Sequence, residues 1–301
     1  MANITAQMVK ELREKTSAGM LDCKKALTET DGDMEAAVTW LRERGIAKAV
    51  KKEGAVAAEG LCSYAIAGNK CVVFELNSQT DFVAQNAKFI ALLEQVGQII
   101  VNSNATNTEE ALNVESDGKT LATIILEASG VIGEKISLRR VQVINKTDAD
   151  VFGAYKHMGG RIVTISVLEG GNDEVAKDVA MHTAALSPKF VSKDDIPAEE
   201  IAKEREVILA AALNENATSA KPKPENIIAE RIVPGRLDKQ LKEICLLSQQ
   251  FVKNPDQTVE QYVKGAKASV KQIVRLEVGE GIEKQVTDFA AEVAAQSAAF
   301  N

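Results

Sequence analysis

The sequence predicts an α+β fold, and three observations carry that expectation. About the first fifty residues read as helical stretches separated by glycine-containing breaks. From Val56 onward the apolar pattern changes to the alternation of strands, and a strand, glycine turn, strand, helix pattern then recurs 91 residues further along.

The first helix is expected over residues 4–15, with Met8, Val9 and Leu12 on one face, and Ser17-Ala18-Gly19 breaks it. A second, over 20–29, turns Leu21 and Leu27 inward. Asp33 caps a third, which carries Ala36, Ala37, Trp40 and Leu41 at helical spacing and stops near Gly45. Residues 47–52, basic and small, read as a linker. Three short helices make a bundle with little core of its own, a form suited to docking.

Residues 61–66 and 71–76 alternate as strands joined at Ala67-Gly68-Asn69. A long helix is expected over 82–102, a polar loop or short helix over 103–119, a short helix over 121–128 and a strand over 135–145. The recurrence then pairs Tyr64 with Tyr155, Gly68 with Gly159, Val72 with Val163, Phe74 with Ile165 and Leu76 with Val167. At the same offset Thr80-Asp81-Phe82-Val83 faces Gly171-Asn172-Asp173-Glu174. Apolar residues at one exposed strand-to-helix junction thus meet acidic ones at the other.

Residues 197–250 read as an antiparallel helical hairpin whose tip is Lys221-Pro222-Lys223-Pro224, its return limb broken near Pro234-Gly235. A last strand is expected over 270–278, a break at Gly279-Glu280-Gly281, and a terminal helix over 283–298 with Val286, Phe289, Ala290 and Val293 on one face.

The composition suits helix-on-helix and helix-on-sheet packing: 45% of the 301 residues are hydrophobic but only 4% aromatic, so small aliphatic side chains must fill the interior. A net charge of -7 argues against a broad nucleic-acid face and favours protein partners. Four scattered cysteines form no metal-ligand spacing, and reduced thiols in a cytoplasmic protein fit them best. The charged amphipathic start is unlike a signal peptide, and no apolar run approaches the roughly 18 residues of a membrane span.

No phosphate-binding glycine loop, dinucleotide fingerprint or nucleophile elbow occurs, and no acid/base pair stands out. No catalytic residue, metal or cofactor is therefore expected. His182 reads as a packing or surface residue, and His157 as a solvated turn residue or a partner contact. Asp81-Phe82 admits an ordinary reading as cap and staple, and Thr287-Asp288-Phe289 repeats the pattern near the end of the chain.

Three motifs then define a resemblance. The opening Val9-Lys10-Glu11-Leu12-Arg13, Ala18-Gly19-Met20 and Asp22-Cys23-Lys24-Lys25-Ala26-Leu27, the central Asn77-Ser78-Gln79-Thr80-Asp81-Phe82-Val83-Ala84, and Glu277-Val278-Gly279-Glu280-Gly281-Ile282-Glu283-Lys284 resemble, in matching order, bacterial elongation factor Ts. The resemblance implies a three-helix, ubiquitin-associated-like (UBA-like) domain over 1–54 and two related α+β core halves, 55–146 and 147–196 with 251–278. It further implies a helical-hairpin dimerisation module over 197–250 and a C-terminal helical module over 279–301. The implied partner is the GTPase elongation factor Tu, from which the family releases GDP so that GTP can load. No direct nucleotide, nucleic-acid or membrane binding is implied, whereas a homodimer or heterotetramer through the hairpin is.

By the same resemblance Thr80, Asp81, Phe82 and Val83 form the wedge that displaces magnesium on the partner. Leu12, Arg13, Met20 and Leu21 dock its GTPase domain, and His157 makes a second contact. Leu12 and Leu21 read equally well as bundle core. Rival expectations are an adaptor without exchange activity and an enzyme working between the core halves.

Overall fold

A computed structural model describes residues 4–16, 18–52, 54–219 and 221–283. The chain forms two compact units, one from the described residues up to 65, residues 72–143 and the segment from 277, the other from residues 66–71 and 144–276. Helices and antiparallel strands are mixed in both, as the α+β expectation requires. The expected terminal helix lies, from residue 284, outside the described residues.

The first unit opens with α1 (Ala6–Thr16), α2 (Met20–Glu29) and α3 (Met34–Val50). Leu12, Cys23, Ala26, Leu27 and Ala37 are fully buried where the three meet, with Met8, Trp40 and Leu41 packed around them. Asp33 caps α3 through the Ala36 N–H at 2.9 Å. Two expectations fail here. Leu21 is 84% exposed instead of inward, and α3 does not stop at Gly45 but runs through the expected linker to Val50.

The reason for Gly45 is close helix packing rather than termination. It lies against Gly130 of a later helix, where an added Cβ on Gly130 would sit 2.6 Å from the Gly45 carbonyl carbon and oxygen. Backbone meets backbone there, so a side chain on Gly130 has no room.

Strands β1 (Glu59–Ala67) and β2 (Lys70–Ser78) turn at Gly68, whose φ of 56° is left-handed. The expected long helix is two: α4 (Asp81–Ala84) and α5 (Ala87–Val101), divided because Asn86 caps the second through the Lys88 N–H. The polar stretch holds α6 (Thr108–Leu112), β3 (Glu115–Ser116) and β4 (Lys119–Thr120). It leads to α7 (Leu121–Ile132), which ends at left-handed Gly133, and to β5 (Ser137–Asn145). Among the described residues β1, β2 and β5 form one sheet in that order. Phe74 of β2 and Phe89 of α5 are fully buried between sheet and helix, and Gly97 lets α5 approach the Phe74 ring.

A charged node closes this unit. Glu75 of β2 is fully buried, yet its carboxylate accepts from Arg139 at 2.9 Å, Arg140 at 2.5 Å, Asn77 Nδ2 at 2.9 Å and the Gly279 N–H at 2.8 Å. Both arginines continue outward to the segment 277–280: Arg139 to the Glu280 carbonyl, and Arg140 to the Glu277 carbonyl and the Glu280 carboxylate. Burial pushes the Glu75 carboxyl up, but the hydrogen bonds from Gly279 and Asn77 and the Arg140 charge outweigh it and hold the group below the ordinary glutamate value.

The second unit holds the recurrence. β6 (Asp150–His157) and β7 (Ile162–Gly170) pair antiparallel, with Tyr155 opposite Thr164 and His157 opposite Ile162, and α8 (Asp173–Leu186) follows. Gly153 has no room for a Cβ, which would fall 2.0 Å from the Ala176 carbonyl oxygen. That contact seats α8 on the sheet, with Ser166 Oγ and Thr164 Oγ1 donating to the Ala176 and Ala180 carbonyls at 2.7 Å. The copies match in detail: Gly68 and Gly159 both have positive φ, and Val72, Phe74, Val163 and Ile165 are all fully buried. In each sheet the second hairpin strand is central.

Between α8 and the last strand lie α9 (Ala198–Ala217), α10 (Glu225–Ile227), a π-helical turn (Ile228–Ile232) and α11 (Val233–Ile244). The return limb is not broken at Pro234-Gly235, as the sequence suggested. Pro234 sits in the first turn of α11, and the wide π turn just before it absorbs the missing donor. Ile208, Ala212, Ile228 and Val233 bury the seam between the limbs. Then β8 (Gln250–Phe251), β9 (Asn254–Thr258) and α12 (Val259–Gly265), unforeseen from the sequence, precede β10 (Ala268–Glu277). Leu168, Val179, Leu246, Phe251 and Val259 form the main core there.

His182 is a core residue. It is fully buried on α8, its Nδ1 accepts the Val252 N–H at 3.2 Å, and its Nε2 therefore carries the proton given to Gln249 Oε1 at 2.9 Å. Burial lowers its pKa, and the Gln249 bond opposes this in part. The unfolded chain then binds a proton that the folded one refuses, so the stability tied to this group is complete above about pH 6.5 and falls as the pH drops through the depressed value. The urea midpoint is expected to decline more between pH 7.5 and 5.5 for the native chain than for His182→Gln. Equal declines would remove His182 as the cause.

A candidate partner-binding site at the β2–α4 junction

Strand β2 delivers the chain into a four-residue helix too short to hold itself. Thr80 is extended and caps that helix, its hydroxyl oxygen accepting the Val83 N–H at 3.4 Å. The hydroxyl proton goes to Glu134 Oε1 at 2.7 Å, and the Thr80 N–H to Glu134 Oε2 at 3.0 Å. Ser78 Oγ donates to the Thr80 carbonyl at 2.9 Å, and the Lys135 N–H donates to Gln79 Oε1 at 3.1 Å.

On this pinned turn Val83 and Ala84 face the core, while Asp81 and Phe82 face solvent. Phe82 is 82% exposed. Burying a phenyl ring is worth several kcal/mol in principle, about 1.5–3, so a rigid backbone that holds one in water has the geometry of a protein-binding surface.

The second copy sharpens the contrast. Asn172 caps α8 through the Val175 N–H at 3.0 Å, so Asn172 is the counterpart of Thr80 and Val175 that of Val83. The junctions align one residue away from the hairpins, because the copies differ by one residue at Gly170-Gly171. Val83 thus has a buried apolar counterpart, correcting the pairing with Glu174. Glu174, exposed, stands where Phe82 stands. Among the residues that face solvent in the aligned first turns, Asp81 matches Asp173, and Phe82 against Glu174 is where the copies part.

The other candidate residues fall in three places. Leu12 is fully buried in the bundle core, the alternative that its sequence left open; a small bundle needs its few leucines inside. Arg13 is exposed on α1, and Met20 and Leu21 form an apolar pair, 56% and 84% exposed, on the first turn of α2. His157 is exposed in the second unit at the end of β6, its Nδ1 3.4 Å from Tyr155 Oη. Its neighbour Met158, in the same exposed turn, is 68% exposed with a φ of 49°, uncommon for a residue with a Cβ. Sequence reasoning passed over Glu134, which has no local signature because it acts across 54 residues.

Among the described residues no group of three or more His, Cys, Asp and Glu side chains is placed to hold a metal ion, and no helix is long and apolar enough to cross a membrane. The four cysteines are free and buried, and burial pushes Cys62 and Cys71 up to about 12.

This fold and this presented ring suit a protein-binding factor, and comparison with known proteins gives the family. A family model described as elongation factor TS matches residues 79–280, more than half of the chain. The elongation factor Ts of Acholeplasma laidlawii (strain PG-8A) is 55% identical over 294 residues, covering 97% of this chain and 98% of that protein. The chain belongs to the elongation factor Ts family, and so to the factors of translation elongation.

Proposed function

We propose that this chain is a guanine-nucleotide exchange factor that binds GDP-loaded elongation factor Tu and promotes GDP release. Phe82, held in water on a pinned turn, is the observation that carries the reading. The ring inserts between helices of the GTPase domain, Asp81 disturbs the side chains and water around the magnesium ion, and Thr80 and Val83 keep the turn in shape. Magnesium demands a strict octahedral shell, so a small displacement of its surroundings costs the nucleotide much of its hold. The factor need not touch GDP. It need only bind the loosened state better than the tight one, and that difference in affinity drives release.

Arg13, Met20 and Leu21 supply a second footprint on the bundle, and His157 with Met158 a third on the other unit. The hairpin of α9 and α11 serves assembly, as a homodimer or within a heterotetramer. The deciding experiment follows labelled GDP leaving elongation factor Tu. Adding the chain is expected to speed release, and unchanged release with demonstrable binding would favour an adaptor.

A further inference from the structure

We infer that Glu134 is a positioning residue for exchange: its carboxylate holds the turn that presents Phe82 to the partner. The inference rests on the reading of Phe82 given above, and it adds a residue 54 positions from Thr80 in sequence. Three observations support it. The clamp is two-pronged, one oxygen on the Thr80 N–H and the other on its hydroxyl. It also sets the direction of the cap, because a hydroxyl that gives its one proton to Glu134 has only lone pairs left for the Val83 N–H. Finally Glu134 itself is fixed: Gly133 ends α7 in the left-handed region, Ser129 Oγ donates to the Glu134 carbonyl, and the Lys135 N–H is tied to Gln79.

The second copy shows what a plain structural junction needs. There Asn172 caps a fourteen-residue helix with its own side chain. The first copy has only the four residues of α4 and must keep an aromatic ring in water. Without the clamp the turn frays, and the partner must then order it on binding. That ordering cost appears as lost exchange efficiency.

The test is a double-mutant cycle read in the GDP-release assay with the full chain and elongation factor Tu. Glu134→Ala is expected to lower the efficiency of exchange about tenfold, and Glu134→Gln, which keeps one acceptor, by about threefold. In a Phe82→Ala background Glu134→Ala is expected to add nothing further, and the Val83 amide is expected to exchange with solvent faster in Glu134→Ala alone. Additive losses in the cycle, or full exchange by a folded Glu134→Ala chain, would overturn the inference while leaving the role of Phe82 standing. Unchanged exchange by Phe82→Ala itself would instead remove the reading beneath it. Should Glu134→Ala fail to fold, Thr80→Val breaks the same hydroxyl contact and Thr80→Ser restores it, and equal exchange by the two would overturn the clamp.

Discussion

Phe82→Ala is expected to lower the stimulated rate of GDP release about a hundredfold while leaving the melting temperature within a degree or two of the native value, because a surface substitution away from packing costs little. The two halves of that expectation follow from one number. A ring that is 82% exposed makes few contacts inside its own chain, so its loss removes little folding energy. Buried against a partner, an aromatic anchor of this kind contributes about 2–4 kcal/mol, and each 1.4 kcal/mol or so is a factor of ten. Phe82→Leu is expected to fall between the two, since it keeps apolar bulk without the flat ring. Stopped-flow release of a fluorescent GDP analogue, with melting curves on the same samples, reads both halves. A folded Phe82→Ala chain that still stimulates fully would sink the wedge.

Glu75→Ala is the stability counterpart, and its expected loss is about 3–5 kcal/mol, the range for breaking a buried ion pair by removing one member. The substitution leaves two arginines without their shared acceptor and the Gly279 N–H unpaired. Because both arginines remain partly exposed, at 29% and 24%, water recovers some of this, and the lower end of the range is the better expectation. Glu75→Gln keeps the shape and one acceptor, and is expected to lose less. The folded pKa of Glu75 is depressed, so its stabilisation is complete above the unfolded value near 4.3 and lost as the pH falls through the folded one. Urea titrations at pH 7 and at pH 4 measure the effect. A Glu75→Ala midpoint equal to the native one at pH 7 would show that the node is ornamental to stability.

Local signals were legible in the sequence where the cause is local. The Asp33 cap and the hairpin turn at Gly68 came from residues within a few positions of one another, and the recurrence from the same local signals repeated 91 residues on. What was misread had distant causes. Gly45 looked like a stop because a glycine ends many helices, and nothing nearby announces that Gly130 will need the space. Pro234 looked like a break because a π turn upstream leaves no sequence signature. The site shows the same division. Phe82 stood out by type and position, but Leu12 and Leu21, both leucines near helix turns, were separable only once the bundle had closed on one and left the other in water. Glu134 was invisible, since its partner lies in another part of the chain.

The Gly45–Gly130 contact also sets a mechanical constraint. Backbones that touch cannot slide or tilt without colliding, and the Arg42–Glu127 pair and the bond from Lys52 to the Gly133 carbonyl pin the same two helices further along. Helix α7 therefore works as a stiff rod, gripped near its end by the opening bundle and fastened just beyond that end, through Glu134, to the turn bearing Phe82. A rod transmits force without storing it. Load placed on the bundle is therefore carried along α7 to the turn that bears Phe82 as displacement rather than absorbed as bending.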